Sequence, residues 1–380
     1  TWLFELDPET HVVCDEEWDD DWVIPRYWDD TFLAHYADFV LDAAARYNGD
    51  PRIAWIGIGA GMYGETWPAR PDYGDCLEAA GLTSDLWVET VNTITDFYLH
   101  GFTRTPLFLQ FAPHFQNRRE RLRFTDYAAA RGVGLKHNGL QPDSSAAFRG
   151  DGTGQYEPML KWGDQVPLAW ESYDYLMPGE VGTLWGIYNG LDKHADYMVL
   201  ADDIITDEAR WPILRFANEH LGRTLEDTPS VWVALRETEH EGPYSFPQRG
   251  NYEFWLYQKD DAPGGRTVPE WNISQYKEGR YTRRTDEATG NPFMVFDVDD
   301  GYLYDVAPGE TVTLTVVYYD QGTDTWELQY DAWGDPYRSG GMVRKEDSGQ
   351  WLSRTFVPVS YTHLRAHETR HDLVCRLLLE

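Results

Sequence analysis

Between residues 30 and 224, short apolar runs alternate with amphipathic stretches of helical period, which predicts a parallel sheet wrapped by helices. The repeating units can be counted from their punctuation. A helix over 31–47 leads through Asn48-Gly49-Asp50-Pro51 into a strand over 53–58, and a helix over 84–100, capped by Ser84, leads into a strand over 107–111. A third helix, 118–131, stops at Gly132 ahead of a strand over 133–137. A helix around 156–165 precedes a strand over 166–170, a helix over 181–195 precedes a strand over 197–200, and a last helix, 210–221, ends at Gly222.

Each of these five strands runs into a polar loop carrying Glu, His, Asn or Asp, and the C-terminal ends of strands are where barrel enzymes hold their chemistry. The expectation is an α/β fold: a partial (β/α)8 TIM barrel over residues 1–227, holding about strands four to eight, with the first three units upstream of Thr1. An open doubly wound sheet competes with it. No Gly-rich phosphate turn of the GxGxxG type opens any helix, and the Gly-rich run at 57–64 leads into Trp67-Pro68, which favours the barrel.

Beyond residue 228 the helical period gives way to alternation. The runs 252–257, 293–298, 311–319 and 326–330 are rich in Val, Thr and aromatics and are separated by Gly, Asp and Pro. They predict an all-β sandwich over 228–358, with 231–272 stitching it to the barrel. From 359 to 380 the character changes: SYTHLRAHETRHDLVCRLLLE is basic-leaning and His-rich, and it resembles the conceptual translation of a sequencing-adapter read-through. Such a non-native tail would give Cys375, His363, His367 and His371 no function and leave the sandwich without its last strand; the alternative is a native C-terminal helix.

Composition narrows the partners. A chain of 380 residues, 42% hydrophobic and 15% aromatic, has material for two cores, and its net charge of −32 excludes nucleic acid and anionic lipid surfaces. The 17 Trp and 24 Tyr can stack on the C–H faces of pyranose sugars as well as fill cores. Three cysteines, with no CxxC pair, predict no metal centre and no disulfide framework; Cys14 and Cys76 are left open between a single bridge and free buried thiols. No apolar run approaches the ~20 residues of a membrane span. The chain opens at Thr1 without Met or signal peptide, so its true N-terminus is expected to lie upstream.

Two glutamates follow strands directly. Glu65 lies in GAGMYGETWP just beyond the strand over 53–58, and Glu171 ends the strand over 166–170 in VPLAWESYDY. Roughly 100 residues separate them, the span of three β/α units of roughly 30–35 residues each. This placement resembles the clan-A glycoside hydrolases, the largest clan of retaining enzymes, over about residues 25–224; the same segment also resembles an uncharacterised group of bacterial barrel proteins. The resemblance implies that Glu65 protonates the leaving oxygen and that Glu171 attacks the anomeric carbon. Flanking Trp67 and Trp170 are expected to provide the dry setting that keeps one carboxyl protonated. Clan members place Asn directly before the acid/base, but Gly64 stands there in this chain; Asn138 or Gln110 could donate to the sugar 2-hydroxyl instead. A Gly-Glu pair at a strand end is also similar to inverting amylases, so retention and inversion both stay open.

Further residues at strand ends are candidate sugar partners: His114 in FAPHF, His137 and Asn138 in GLKHNG, and Asp202-Asp203 in VLADD. Tyr63 and Tyr173 are candidates for stacking or for orienting the nucleophile. Each also has a plain structural reading, as a satisfied histidine or a packed ring. The absence of GxSxG, of a family-specific Cys–His pattern and of HExxH argues against serine, thiol and zinc-protease chemistry, and no cofactor is expected. The acidic run at 297–301 is either a calcium ligand set or a solvated turn. The β region, through VTLTVVYYDQGTDTWELQYDAWG and a Gly-Gln-Trp turn at 349–351, resembles jelly-roll sugar-binding modules of bacterial glycosidases, with Trp326, Tyr330, Trp333 and Trp351 as its candidate rings. The expected function is a secreted or cell-surface bacterial glycosidase acting on a neutral glycan. The alternatives are a non-catalytic carbohydrate-binding protein on a degenerate barrel and a structural surface protein with all its rings buried.

Overall fold

The computed structural model describes residues 4–5, 7–14, 22–111, 114–142, 149–236, 251–271, 282–303, 312–332 and 335–357, and the backbone of 375–379. They divide into two compact units. The first draws on residues 1–140, 146–172 and 196–199, the second on 141–145, 173–195 and 200–380.

In the first unit a hairpin, β1 (His11–Cys14) and β2 (Trp22–Pro25), precedes the helices α1 (Asp30–Tyr47), α2 (Gly74–Ala79), α3 (Ser84–Gly101), α4 (Arg119–Ala129) and α5 (Glu157–Trp162). Between them run β3 (Ile56–Ile58), β4 (Leu107–Gln110), β5 (Gly134–Asn138), β6 (Leu168–Ser172) and β7 (Tyr197–Leu200). These five form a curled parallel sheet, a half-barrel in the order β3-β4-β5-β6-β7. A doubly wound sheet reverses its strand order at a switch point, whereas this order follows the chain from edge to edge, as a segment of a barrel does.

Local chemistry sets the helix starts. Asp29 caps α1, its side chain accepting from Thr31 N at 2.9 Å and Phe32 N at 3.0 Å. At α3 the cap is Thr83, not Ser84 as the sequence reading has it: Thr83 is extended and its Oγ1 accepts from Leu86 N at 3.2 Å, which leaves Ser84 as the first helical residue. Cys14 on β1 and Cys76 on α2 form a disulfide with their Cα atoms 5.9 Å apart, which decides between the bridge and the free thiols.

The two faces of the parallel sheet differ in chemistry because side chains alternate along each strand. Leu109, Leu135, Leu168 and Trp170 are fully buried on the face that α3 and α4 cover. The opposite face starts on an aromatic floor, where Phe108 meets Trp55 with ring centroids 5.1 Å apart and Tyr197 at 5.6 Å. Gly134, in register with Phe108, leaves space for that ring: a Cβ there would lie 2.5 Å from the Phe108 side chain and 2.8 Å from Pro167 O. Above the floor this face turns polar.

The second unit holds α6 (Gly179–Asp192), α7 (Asp202–Ile205) and α8 (Trp211–His220), followed by β8 (Val231–Ala234), β9 (Tyr252–Phe254), β10 (Leu256–Gln258), β11 (Val268–Trp271), β12 (Thr282–Arg284), β13 (Phe296–Val298), β14 (Leu314–Tyr319), β15 (Thr325–Ala332), β16 (Asp335–Arg344), β17 (Trp351–Phe356) and β18 (Cys375–Leu379). Among the described residues the strands form a five-stranded sheet, β17-β14-β18-β8-β9, and the antiparallel pairs β10-β13, β11-β12 and β15-β16. The run 252–257, which alternation gives as one strand, is broken at Trp255, whose backbone is left-handed (φ 54°). β9 therefore pairs with β8, and β10 departs to pair with β13. Val233, Val316 and Phe356 share one core with Phe296, Val298, Trp326 and Tyr330. The backbone of β18 lies between β14 and β8. Trp333, His363, His367 and His371 lie outside the described residues, as do Asn272 in the linking segment and the side chain of Cys375.

Candidate active site

Glu65 is delivered by a tight turn after β3. Met62 N donates to Trp67 O at 2.9 Å and Glu65 N to Met62 O at 3.0 Å, closing the loop on itself. Tyr63 and Gly64 are both left-handed, with φ 57° and 77°. At Gly61 a Cβ would lie 2.2 Å from Trp67 O, so this turn admits no side chain there. Two anchors hold the loop to the helices: Tyr36 of α1 donates to Gly59 O at 2.6 Å, and Trp87 of α3 donates through Nε1 to Thr66 O at 2.9 Å. Burial and the neighbouring Tyr98 push the Tyr36 phenol far above its usual range, so it stays a donor. The outcome is a carboxylate only 7% exposed at the end of a parallel strand.

Glu171 arrives differently. β6 continues to Ser172, so Glu171 is a strand residue, in register with Asn138 on β5; two residues earlier, Ala169 is level with Lys136, which in turn is level with Gln110 on β4. Gln110, Lys136, Asn138 and Glu171 therefore share the polar face. Gln110 Nε2 donates to Glu65 Oε1 at 3.0 Å, and Asn138 Nδ2 donates to the same oxygen. Lys136 Nζ donates to Gln110 Oε1 and to Glu171 Oε2. One hydrogen-bonded chain thus runs Glu65–Gln110–Lys136–Glu171. Three hydrogen bonds of about 2.9 Å and the roughly 2.3 Å width of an amide limit the bonded carboxylate oxygens to a separation of about 11 Å. The backbone is braced as well, since Gly139 N and Leu140 N both donate to Glu171 O at 3.0 Å.

The structure brings Glu65, Asn138 and Glu171 together and turns two other predicted site residues away from them. Alternation turns His137 and Trp170 to the other face, where the His137 ring lies 5.3 Å from Phe111, 5.7 Å from Tyr156 and 6.0 Å from Trp170. Burial, with Arg121 and Lys136 nearby, lowers the His137 pKa to about 3, so its ring is neutral there. His114 is lowered to about 4 by burial and then by the charges of Arg121, Arg118 and Arg149. Trp67 is half-buried in the turn that carries Glu65, and Tyr63 in that turn is 73% exposed. Tyr173 and Asp202 are exposed and fall in the second unit; Tyr173 stacks on Tyr175 at 5.7 Å, and Asp202 lies in the first turn of α7.

Sequence reasoning missed Lys136. Its signal was available: a lysine inside an otherwise apolar strand, at the same parity as Asn138, must be buried and therefore partnered. In the β-rich unit, Trp326 and Tyr330 are core residues at 1% and 4% exposure, and Trp351 packs on Tyr319 at 5.5 Å. Among the described residues no group of three or more His, Cys, Asp or Glu is placed to hold a metal ion, and no helix is long and apolar enough to cross a membrane. In the acidic run Asp299 Oδ1 is occupied by Gly301 N at 2.9 Å, the geometry of a closed turn.

No known family profile matches this chain, and no curated protein does. Solved structures with weak likeness include carbohydrate-binding modules and glycoside hydrolases. A family 29 carbohydrate-binding module is 9% identical over 40% of this chain and 85% of its own, with a TM-score of 0.21. A monomeric beta-xylosidase from Caulobacter crescentus CB15 is 9% identical over 93% of this chain and 75% of its own, with a TM-score of 0.26. An isomalto-dextranase from Arthrobacter globiformis T6 is 8% identical over 77% and 72%, with a TM-score of 0.22.

Proposed function

We propose that the half-barrel is the later part of a (β/α)8 barrel, strands four to eight, and that it is a glycosidase site on a neutral glycan. The observation that carries this reading is the bonded chain from Glu65 to Glu171 across the polar face of the sheet. Its two carboxylates have different partners. Glu171 lies against an ammonium, while Glu65 is met by two neutral amides. That asymmetry suits the two roles of glycoside cleavage. Glu65 gives a proton to the leaving oxygen as the glycosidic C–O bond breaks, and the Glu171 carboxylate bonds to the anomeric carbon. A water that loses its proton to Glu65 then cleaves that ester. The limit of about 11 Å covers the carboxyl spacings of both retaining and inverting enzymes. The Cys14–Cys76 bridge supports an oxidising, extracellular setting.

A second reading has its own support. Lys136 bonds one oxygen of the Glu171 carboxylate and so competes with its use as a nucleophile, which suits a sugar-binding protein without turnover. A screen of chromogenic aryl glycosides with the parent protein, Glu65→Gln and Glu171→Gln separates the two. The glycosidase reading expects hydrolysis that falls by about 10²–10⁴ in each variant. Sugar binding by calorimetry without any hydrolysis selects the second reading, and hydrolysis that survives both substitutions removes the first.

A further inference from the structure

The β-rich unit holds an open groove of ≈ 950 Å³, at the upper end of the ~300–1,000 Å³ common for small-ligand sites. It is built on the outer face of the β10–β13 pair. Tyr257 stands directly opposite Asp297 in that antiparallel pair, so both leave it on one side, and Lys259 and Asp299, each just past the end of its strand, join them in the lining. Leu256, Phe296 and Val298 turn the other way into the core. Phe293 and the 52% exposed Tyr337, from β16, add two more rings to the lining.

We propose that this groove is a glycan-binding site for neutral sugar chains, separate from the polar face of the half-barrel. A pyranose is amphipathic, with an apolar C–H face and a rim of hydroxyls that both donate and accept. The groove offers aromatic side chains for the first and fixed polar groups of both kinds for the second. Lys259 Nζ is held by Asp297 at 3.2 Å, and Asp299 is held by Gly301 N at 2.9 Å and by the Tyr257 hydroxyl at 3.4 Å, so these groups are ordered before any ligand arrives. Acidic glycans are repelled, because Asp261 and Asp300 at the rim add to Asp297 and Asp299 against one ammonium. Two of the four rings nominated from the sequence, Trp326 and Tyr330, are buried and take no part.

The test is affinity electrophoresis of the full chain in gels containing soluble xylan, dextran, mixed-linkage β-glucan or galactomannan, using the Glu65→Gln background so that turnover plays no role. At least one polysaccharide is expected to retard the protein, equally at low salt and at about 0.5 M NaCl. Tyr257→Ala and Tyr337→Ala should each weaken that retardation about tenfold, and Tyr257→Phe should preserve most of it. Tyr337 is half exposed, so its truncation leaves the core intact even if Tyr257→Ala proves unstable. Retardation by none of the four polymers, retardation untouched by Tyr337→Ala, or binding only to chitosan that salt abolishes would each overturn the proposal. Failure of the hydrolase reading leaves this test unchanged.

Discussion

Lys136 and Glu171 form an ion pair between adjacent parallel strands, with 6% and 18% of their side chains exposed. Two charges taken this far out of water depend on each other, and removing one strands the other. Lys136→Met should therefore destabilise the protein by about 3–5 kcal/mol in urea unfolding. The double variant Lys136→Met/Glu171→Met should recover a good part of that loss, because no unpaired charge remains. If the two losses simply add, the pair is not coupled and the polar face holds no Lys136–Glu171 link.

The strand positions were legible in the sequence because apolar runs bounded by Gly and Asn specify them locally. The face each residue takes was legible only where a strand end was right. Ending β6 at Trp170 makes Glu171 a loop residue; letting it run to Ser172 fixes Glu171 beside Asn138 and sends Trp170 to the helix side. Asn138 and Gln110 were both foreseen as hydrogen-bond donors standing in for the missing Asn before Glu65; they bond the carboxylate of Glu65 itself. The break at Trp255 left no local trace, since a left-handed tryptophan is imposed by the two sheets that the chain joins on either side of it.

His137 predicts a pH dependence of stability. Its folded pKa, about 3, is well below the ordinary 6.5, so the unfolded chain binds a proton that the fold refuses. Its contribution is fully present above about pH 6.5 and is lost as pH falls towards 3, at up to about 1.36 kcal/mol per pH unit. Both ring nitrogens lack a hydrogen-bond partner among the described residues, so His137→Phe removes the titration without removing such a bond. The difference in urea midpoint between parent and variant should be flat above pH 7 and should grow in the variant's favour from pH 6 to 4. A constant difference across that range contradicts the buried neutral imidazole.

The Cys14–Cys76 bridge closes a loop with a sequence separation of 62. Chain entropy alone makes such a crosslink worth about 4 kcal/mol. Cys14→Ser/Cys76→Ser, or the parent in reducing agent, should unfold at a correspondingly lower urea concentration. Identical midpoints with and without reductant would mean that the bridge does not form.

Gly134 tests whether the aromatic floor sets the height of Lys136. Both lie on one face of β5, two residues apart, and the Phe108 ring occupies the space a side chain at 134 would need. Gly134→Ala brings a methyl group against that ring and against Pro167 O, an overpacking that costs about 1–3 kcal/mol. The ring can yield but the carbonyl cannot, so Phe108→Leu/Gly134→Ala should recover part of the loss, while Phe108→Leu alone is mildly destabilising. A strand that lifts off Pro167 O also lifts Lys136 away from Gln110 and Glu171. Gly134→Ala should therefore shrink the Lys136–Glu171 coupling measured by the double-mutant cycle. If stability falls but that coupling stays at its parent value, the floor supports the strand without positioning the lysine.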